Sequence, residues 1–258
     1  MTVSLNYLLR ESDEIFSGDS QVGNPSDVSS IFHRVELGVA WDISENFSLR
    51  GTLPWITASQ RENGLADNEF SGLGDASVSL LWSPWSEGEA FSGLAFTVGF
   101  ILPSGEAREQ PLVGEAVPSV FQAGTGAWQG KAGVSYFWEV GEWFLGASLD
   151  TAFALEESEQ GFRPAETYYG SAFARRPVMK NLTIGLAVDL FHGERDELEG
   201  QAIERTGSTT LSLKPVLSWN LTDEFAAKAS VSIPLWRRVN STQLAAGPVW
   251  SLGMSYRF

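Results

Sequence analysis

The chain has 258 residues and a formal net charge of -15, and it carries no basic footprint for nucleic acid. It contains no cysteine, which excludes disulfides, thiolate metal sites, iron–sulfur clusters and thiol nucleophiles together. No stretch approaches the roughly 18 apolar residues of a membrane helix, so a membrane-embedded chain of this composition has to be a barrel.

Alternating segments near ten residues long, the length of a tilted membrane strand, recur along the chain. The predicted strands are 2–10, 30–43, 47–58, 76–84, 91–102, 127–138, 143–154, 167–176, 182–192, 208–219, 225–236 and 247–258. The first is followed by the long polar run ESDEIFSGDSQVGNPSDVSS. In the second, Val35, Leu37, Val39, Trp41 and Ile43 face one way, and Arg34, Glu36, Gly38, Ala40 and Asp42 the other. The short link SEN leads into the third, and SQRENGLADNEFSGLGD reads as a second long loop before the fourth. WSEGEA turns the fourth strand into the fifth. The next loop, 103–125, is unusually long and carries Leu112, Val113, Val117, Val120 and Phe121, a candidate constriction folding into the lumen.

Three further hairpin turns, EVGE, VMKN and LTDE, close the remaining even-numbered strands. The ninth strand sets Leu182, Ile184, Leu186, Val188 and Leu190 against Thr183, Gly185, Ala187 and Asp189. After it, DELEGQAIER is the best helix candidate, though short, acidic and interrupted by Gly200. The tenth strand sets Leu211, Leu213, Leu217 and Trp219 against Ser212, Lys214 and Ser218. The chain ends on Trp250, Leu252, Met254, Tyr256 and Phe258 at alternate positions, which resembles the C-terminal assembly signal of bacterial outer-membrane proteins.

Short and long connections therefore alternate, and a soluble sandwich has no reason to sort its loops by parity. This pattern predicts an all-β fold, a transmembrane antiparallel up-and-down barrel of about 12 strands, with short periplasmic turns and long extracellular loops. One barrel domain is expected to span 1–258, in a bacterial outer membrane, as a mature form whose signal peptide is absent from this sequence. Trp41, Trp82, Trp85, Trp138, Trp143 and Trp219 lie beside the short turns, and Trp55, Trp236 and Trp250 near long-loop ends, as two interfacial girdles. With the apolar sets turned to lipid, parity directs Arg34, Glu36, Asp42, Arg50, Lys131, Asp150, Arg176, Asp189, Lys214, Lys228 and Arg257 into the lumen.

Three stretches, GLGDASVSLLWSP (72–84), GFILPSGEA (99–107) and GTGAWQGKAGVSYFWEVGEWFLGASLDTAF (124–153), carry a family resemblance. They resemble the outer-membrane family labelled for meta-pathway phenol degradation, often called simply transporter. The resemblance implies a β-barrel and passage of small, hydrophobic or aromatic molecules.

The expected function is a passive channel for small solutes. Two alternatives are a plugged anchoring barrel and a lipid-modifying enzyme centred on His33 or His192. No serine stands beside either histidine as a strand-borne catalytic pair requires, so no catalytic residue is assigned. No cofactor or metal is expected: the acidic run ERDELEG does not match a calcium loop. Expected partners are outer-membrane lipids, lipopolysaccharide, the barrel-assembly machinery and the solute.

Overall fold

A strand that is greasy on one face and wet on the other is stable in a bilayer only if the sheet closes, because an open edge leaves backbone groups unpaired in hydrocarbon. The computed structural model describes residues 1–63, 65–84, 93–106 and 123–258. Its wall begins with β1 (Thr2–Ser12), which leads through two short strands outside the wall, β2 (Glu14–Ser17) and β3 (Ser20–Val22), to β4 (Ser29–Asp42). The long strand β5 (Phe47–Glu62) faces two shorter ones, β6 (Leu65–Leu73) and β7 (Ser77–Trp82). Then come β8 (Gly93–Ile101), β9 (Gln129–Val140) and β10 (Trp143–Ala154). After the two-residue β11 (Phe162–Arg163), the wall continues with β12 (Thr167–Met179) and β13 (Leu182–Gly193). A small hairpin, β14 (Glu197–Leu198) and β15 (Gln201–Ala202), precedes β16 (Ser208–Asn220) and β17 (Phe225–Val239). The short β18 (Thr242–Ala245), also outside the wall, leads to the last strand, β19 (Val249–Arg257).

Wall strands pair antiparallel with their neighbours along the chain, and β1 pairs with β19 from Thr2↔Arg257 to Arg10↔Val249. That last pairing closes the cylinder. β7 lies opposite the first half of β5 and β6 opposite its second half, so the two pieces form one wall strand interrupted at 74–76. Counted this way the barrel has 12 strands. Two three-stranded sheets stand on the long-loop side: β18-β2-β3 ties the first loop to the last, and β11-β14-β15 joins two others.

The apolar sets read from alternation lie on the outside. Leu252 is 58% exposed and Val188 44%, values no dry core would allow. Trp41, Trp82, Trp143 and Trp219 are exposed at the short-turn ends, and Trp55, Trp236 and Trp250 are exposed towards the other rim. Trp138 is half-buried against Tyr136, with ring centroids 5.3 Å apart; Trp85 lies outside the described residues.

Two local expectations are corrected. The helix candidate is the β14–β15 hairpin, because Glu199 (φ 51) and Gly200 (φ 74) both adopt the left-handed conformation that reverses a chain in two residues. The run from Ser59 to Leu73 is not a loop but the continued β5–β6 hairpin. Beyond the bilayer both faces meet water, so hydrophobic alternation fades while backbone pairing goes on.

Candidate functional site

Residues opposite each other in an antiparallel sheet share a face, so the exposed apolar residues fix which side is the lumen. Arg34, Glu36 and Asp42 on β4, Arg50 on β5, Lys131 on β9 and Asp150 on β10 are out of phase with those residues and face inward. So do Asp189 on β13, Lys214 on β16, Lys228 on β17 and Arg257 on β19. Arg176 does not. It pairs with Ile184, on the outer face, where it meets the Glu142 carboxylate at 2.5 Å and sits 5.8 Å over the Trp143 ring. The inward residue is its neighbour Arg175, opposite Gly185 and beside Phe144.

The charges at mid-lumen are compensated in place. Arg34 is ion-paired with Glu36. Lys214 Nζ lies 3.1 Å from one oxygen of Asp189, and the Ser171 hydroxyl donates to the other at 2.7 Å. Lys131 is within electrostatic reach of Asp150 and Glu36, with its Nζ 3.5 Å from the Ser77 hydroxyl. Beside the Asp189–Lys214 pair the lumen holds a cavity of about 240 Å³. Leu8, Tyr169, Phe191 and Val249 give it apolar surface, and Thr210, Ser212, Ser230, Ser232 and Ser251 give it hydroxyls.

Closer to the short-turn rim the pattern changes. Arg175, Lys228 and Arg50 have no carboxylate within 4.0 Å among the described residues. Arg175 instead lies 4.9 Å over Phe144 and 4.5 Å over Phe173. These two rings and Phe137 form an aromatic cluster with centroids 5.9 to 6.2 Å apart. On the long-loop side Arg10 stacks over Phe32, and Arg237 over Phe16 and against Glu14. None of these arginine–phenylalanine contacts is among the lumenal residues expected from the sequence. The available signal was register: Phe173, Arg175 and Tyr169 alternate with glycine and alanines rather than with large apolar residues.

The three stretches that carry the family resemblance meet in space. One oxygen of Asp75 accepts from the Gly105 amide at 2.9 Å, and the other from the Thr125 amide and hydroxyl, both at 2.7 Å. The Ala76 amide donates to the Ser104 hydroxyl at 2.9 Å, and the Glu106 amide to the Leu73 carbonyl at 3.0 Å. Gly105 and Gly124 pack backbone on backbone: a Cβ on Gly124 would lie 2.5 Å from the Gly105 carbonyl carbon. A Cβ on Gly74 would meet Pro54, Ile56 and the Ala123 carbonyl, and Pro54 and Ile56 share the lumenal face with Glu36 and Arg34. The described ends of the long loop, 102–106 and 123–127, are thus lashed to the inner side of the broken wall strand. The expected constriction residues Leu112, Val113, Val117, Val120 and Phe121 lie outside the described residues.

Both histidines are on the outer face near the long-loop rim. His33 Nδ1 is 2.8 Å from the Tyr7 hydroxyl, and His192 Nδ1 is 2.8 Å from the Thr209 hydroxyl. Among the described residues no group of three or more His, Asp or Glu is placed to hold a metal. Trp250, Leu252, Met254, Tyr256 and Phe258 are all exposed, forming one outward stripe along and just past β19.

Solved structures share this architecture. An outer membrane channel from Pseudomonas putida F1 superposes with a TM-score of 0.79 at 15% identity, covering 100% of this chain and 95% of that one. The transport unit of the autotransporter AIDA-I from Escherichia coli gives 0.54 at 11% identity, covering 100% and 90%. The KdgM porin gives 0.50 at 12%, covering 99% of each. At these identities the likeness is one of fold, that of the outer-membrane β-barrel. No curated protein matches the chain. A family model described as "Putative MetA-pathway of phenol degradation" matches residues 16–252.

Proposed function

The chain belongs to that phenol-degradation MetA-pathway family, and from this premise we propose that it is a passive outer-membrane channel for small solutes, among them hydrophobic or aromatic compounds. One observation carries the reading. Among the described residues no large side chain is fully buried, although the cylinder is closed and its inner face is lined with charges and hydroxyls. A barrel filled by its own side chains would contain a dry core, as protein interiors are close-packed. A wet, charged inner surface supports a path for solute instead.

The whole of 1–258 acts as one domain in this reading, with lipid and lipopolysaccharide around it. The outward stripe of Trp250, Leu252, Met254, Tyr256 and Phe258 serves as the signal to the assembly machinery. Catalysis has no part in it, since each imidazole faces outward and is engaged by a hydroxyl. A plugged anchoring barrel is the second reading, favoured by the loop ends fastened inside the wall. Single-channel recording in planar bilayers separates the two. Discrete conductance steps in KCl are expected, and a silent bilayer with correctly folded protein would refute the channel.

A further inference from the structure

We propose that the short-turn end of the lumen is a binding station for small aromatic carboxylates, with Arg175 taking the carboxylate and Phe137, Phe144 and Phe173 taking the ring. The proposal rests on the channel reading for its biological use, but the site itself is argued from its own geometry.

Charge is the first argument. The chain as a whole is strongly acidic, at -15, so an anion approaching it meets repulsion unless the path is locally inverted. It is inverted here. Arg34 and Lys214 are answered by Glu36 and Asp189, whereas Arg175 and Lys228, which lie within electrostatic reach of each other, have no carboxylate at ion-pair distance among the described residues. Arg175 Nε is moreover buried without a hydrogen-bond partner. A guanidinium in a confined space without a counter-charge is costly, and a solute carboxylate supplies two acceptors in the fork geometry that guanidinium prefers.

Shape is the second. The Arg175 guanidinium carbon stands over the faces of Phe144 and Phe173, at 4.9 and 4.5 Å. In such a cation–π contact the ring faces take the positive charge without accepting its N–H hydrogen bonds. The rings lie along the wall over Gly146: a Cβ there would fall 2.4 Å from Phe173 and 2.9 Å from Phe137. Gly146 therefore makes room beside the wall for the edges of Phe173 and Phe137. A planar ring entering the lumen finds an aromatic cluster to pack on, and its carboxylate finds a guanidinium with no carboxylate at ion-pair distance among the described residues. Neither an alkyl acid nor an uncharged phenol satisfies both halves.

The test uses the full chain in detergent, with binding and conductance read separately. Benzoate, hexanoate and benzyl alcohol are titrated against the parent by calorimetry, and then against Arg175→Gln and Phe144→Leu/Phe173→Leu. Benzoate should bind more tightly than either analogue, weaken by at least about tenfold in Arg175→Gln, and lose its advantage over hexanoate in the double leucine variant. Heat-modifiable migration on gels verifies that each variant is a folded barrel; should Arg175→Gln fail to fold, Lys228→Gln carries the charge arm with a smaller expected loss. Equal affinity for benzoate and hexanoate in the parent, or benzoate binding unmoved by both charge variants, overturns the proposal. Conductance without benzoate binding would sink this station alone, and binding without conductance would sink the channel alone.

Discussion

Arg175 and Arg176 are adjacent, yet the wall separates them, and their environments call for opposite outcomes on substitution. Arg176 is half-exposed and pairs with a Glu142 side chain that is 68% exposed. Exposed pairs contribute about 0–1 kcal/mol, so Arg176→Ala should shift the urea midpoint little and leave reversal potential unchanged. The Asp189–Lys214 pair differs because Asp189 is only 7% exposed and also accepts from Ser171. Asp189→Asn leaves the Lys214 charge unanswered in the lumen. The expected cost is roughly 1–3 kcal/mol, read from the tryptophan-fluorescence unfolding midpoint in urea, together with a reversal potential displaced towards anions. If selectivity is unmoved while stability falls, the pair is scaffolding and not part of the solute path. Parity makes most lumenal charges legible because on β4, β13, β16 and β19 the outward side chain is large and the inward one small or polar. On β12 the relation inverts: Gly170, Ala172 and Ala174 face lipid, and Tyr169, Phe173 and Arg175 face in. The outward small residues leave a groove of about 420 Å³ between Tyr136, Leu149 and Val188. Hydrophobicity alone therefore assigns the wrong arginine to the lumen.

At the scale of elements, the wall has one planned interruption. Gly74 donates its amide to Pro54 at 2.8 Å, continuing the ladder, and Asp75 then turns its carboxylate to gather Gly105 and Thr125. Three hydrogen bonds to one carboxylate hold together segments 30 and 50 residues apart in sequence. Hydrogen bonds to a charged group contribute about 1.5–3 kcal/mol each before relaxation, so Asp75→Ala should cost on the order of 2–4 kcal/mol locally. The loss should appear first as faster hydrogen exchange of the Gly105 and Thr125 amides that the carboxylate binds, and only then in the global unfolding midpoint. Asp75→Asn keeps one acceptor and should fall between. Unchanged exchange at these two amides would mean that the Gly105 and Thr125 segments are held by other contacts. The glycines of GLGD, PSG and GTG are visible in the sequence as separate turn signals, and nothing in their spacing says that they pack on one another. Their shared purpose is tertiary: Gly105 and Gly124 approach too closely for any side chain. The β5–β6 extension was hidden for a related reason, since hydropathy reports the solvent of each face and not the backbone ladder.

At the scale of the whole molecule, closure and polarity are one constraint seen twice. The β1–β19 seam removes the last free edge, and the Phe258 amide donates to the Met1 carbonyl at 2.9 Å where the two termini meet at the short-turn rim. Once closed, a cylinder must choose which face meets lipid, and a single substitution on each face tests that choice. Val188 is near the middle of β13 and 44% exposed on the outside; Ser251, on β19, borders the lumenal cavity. An arginine at mid-bilayer on the lipid face costs roughly 2–4 kcal/mol, whereas one added to a wet lumen costs far less. Val188→Arg should therefore lower the unfolding midpoint in phospholipid vesicles strongly and leave conductance per open channel near the parent value. Ser251→Arg should do the reverse, sparing stability and reducing conductance by narrowing the path beside Lys214. Equal stability losses from the two variants would mean that neither face is lipid, and the assignment of every lumenal residue would fall with that result.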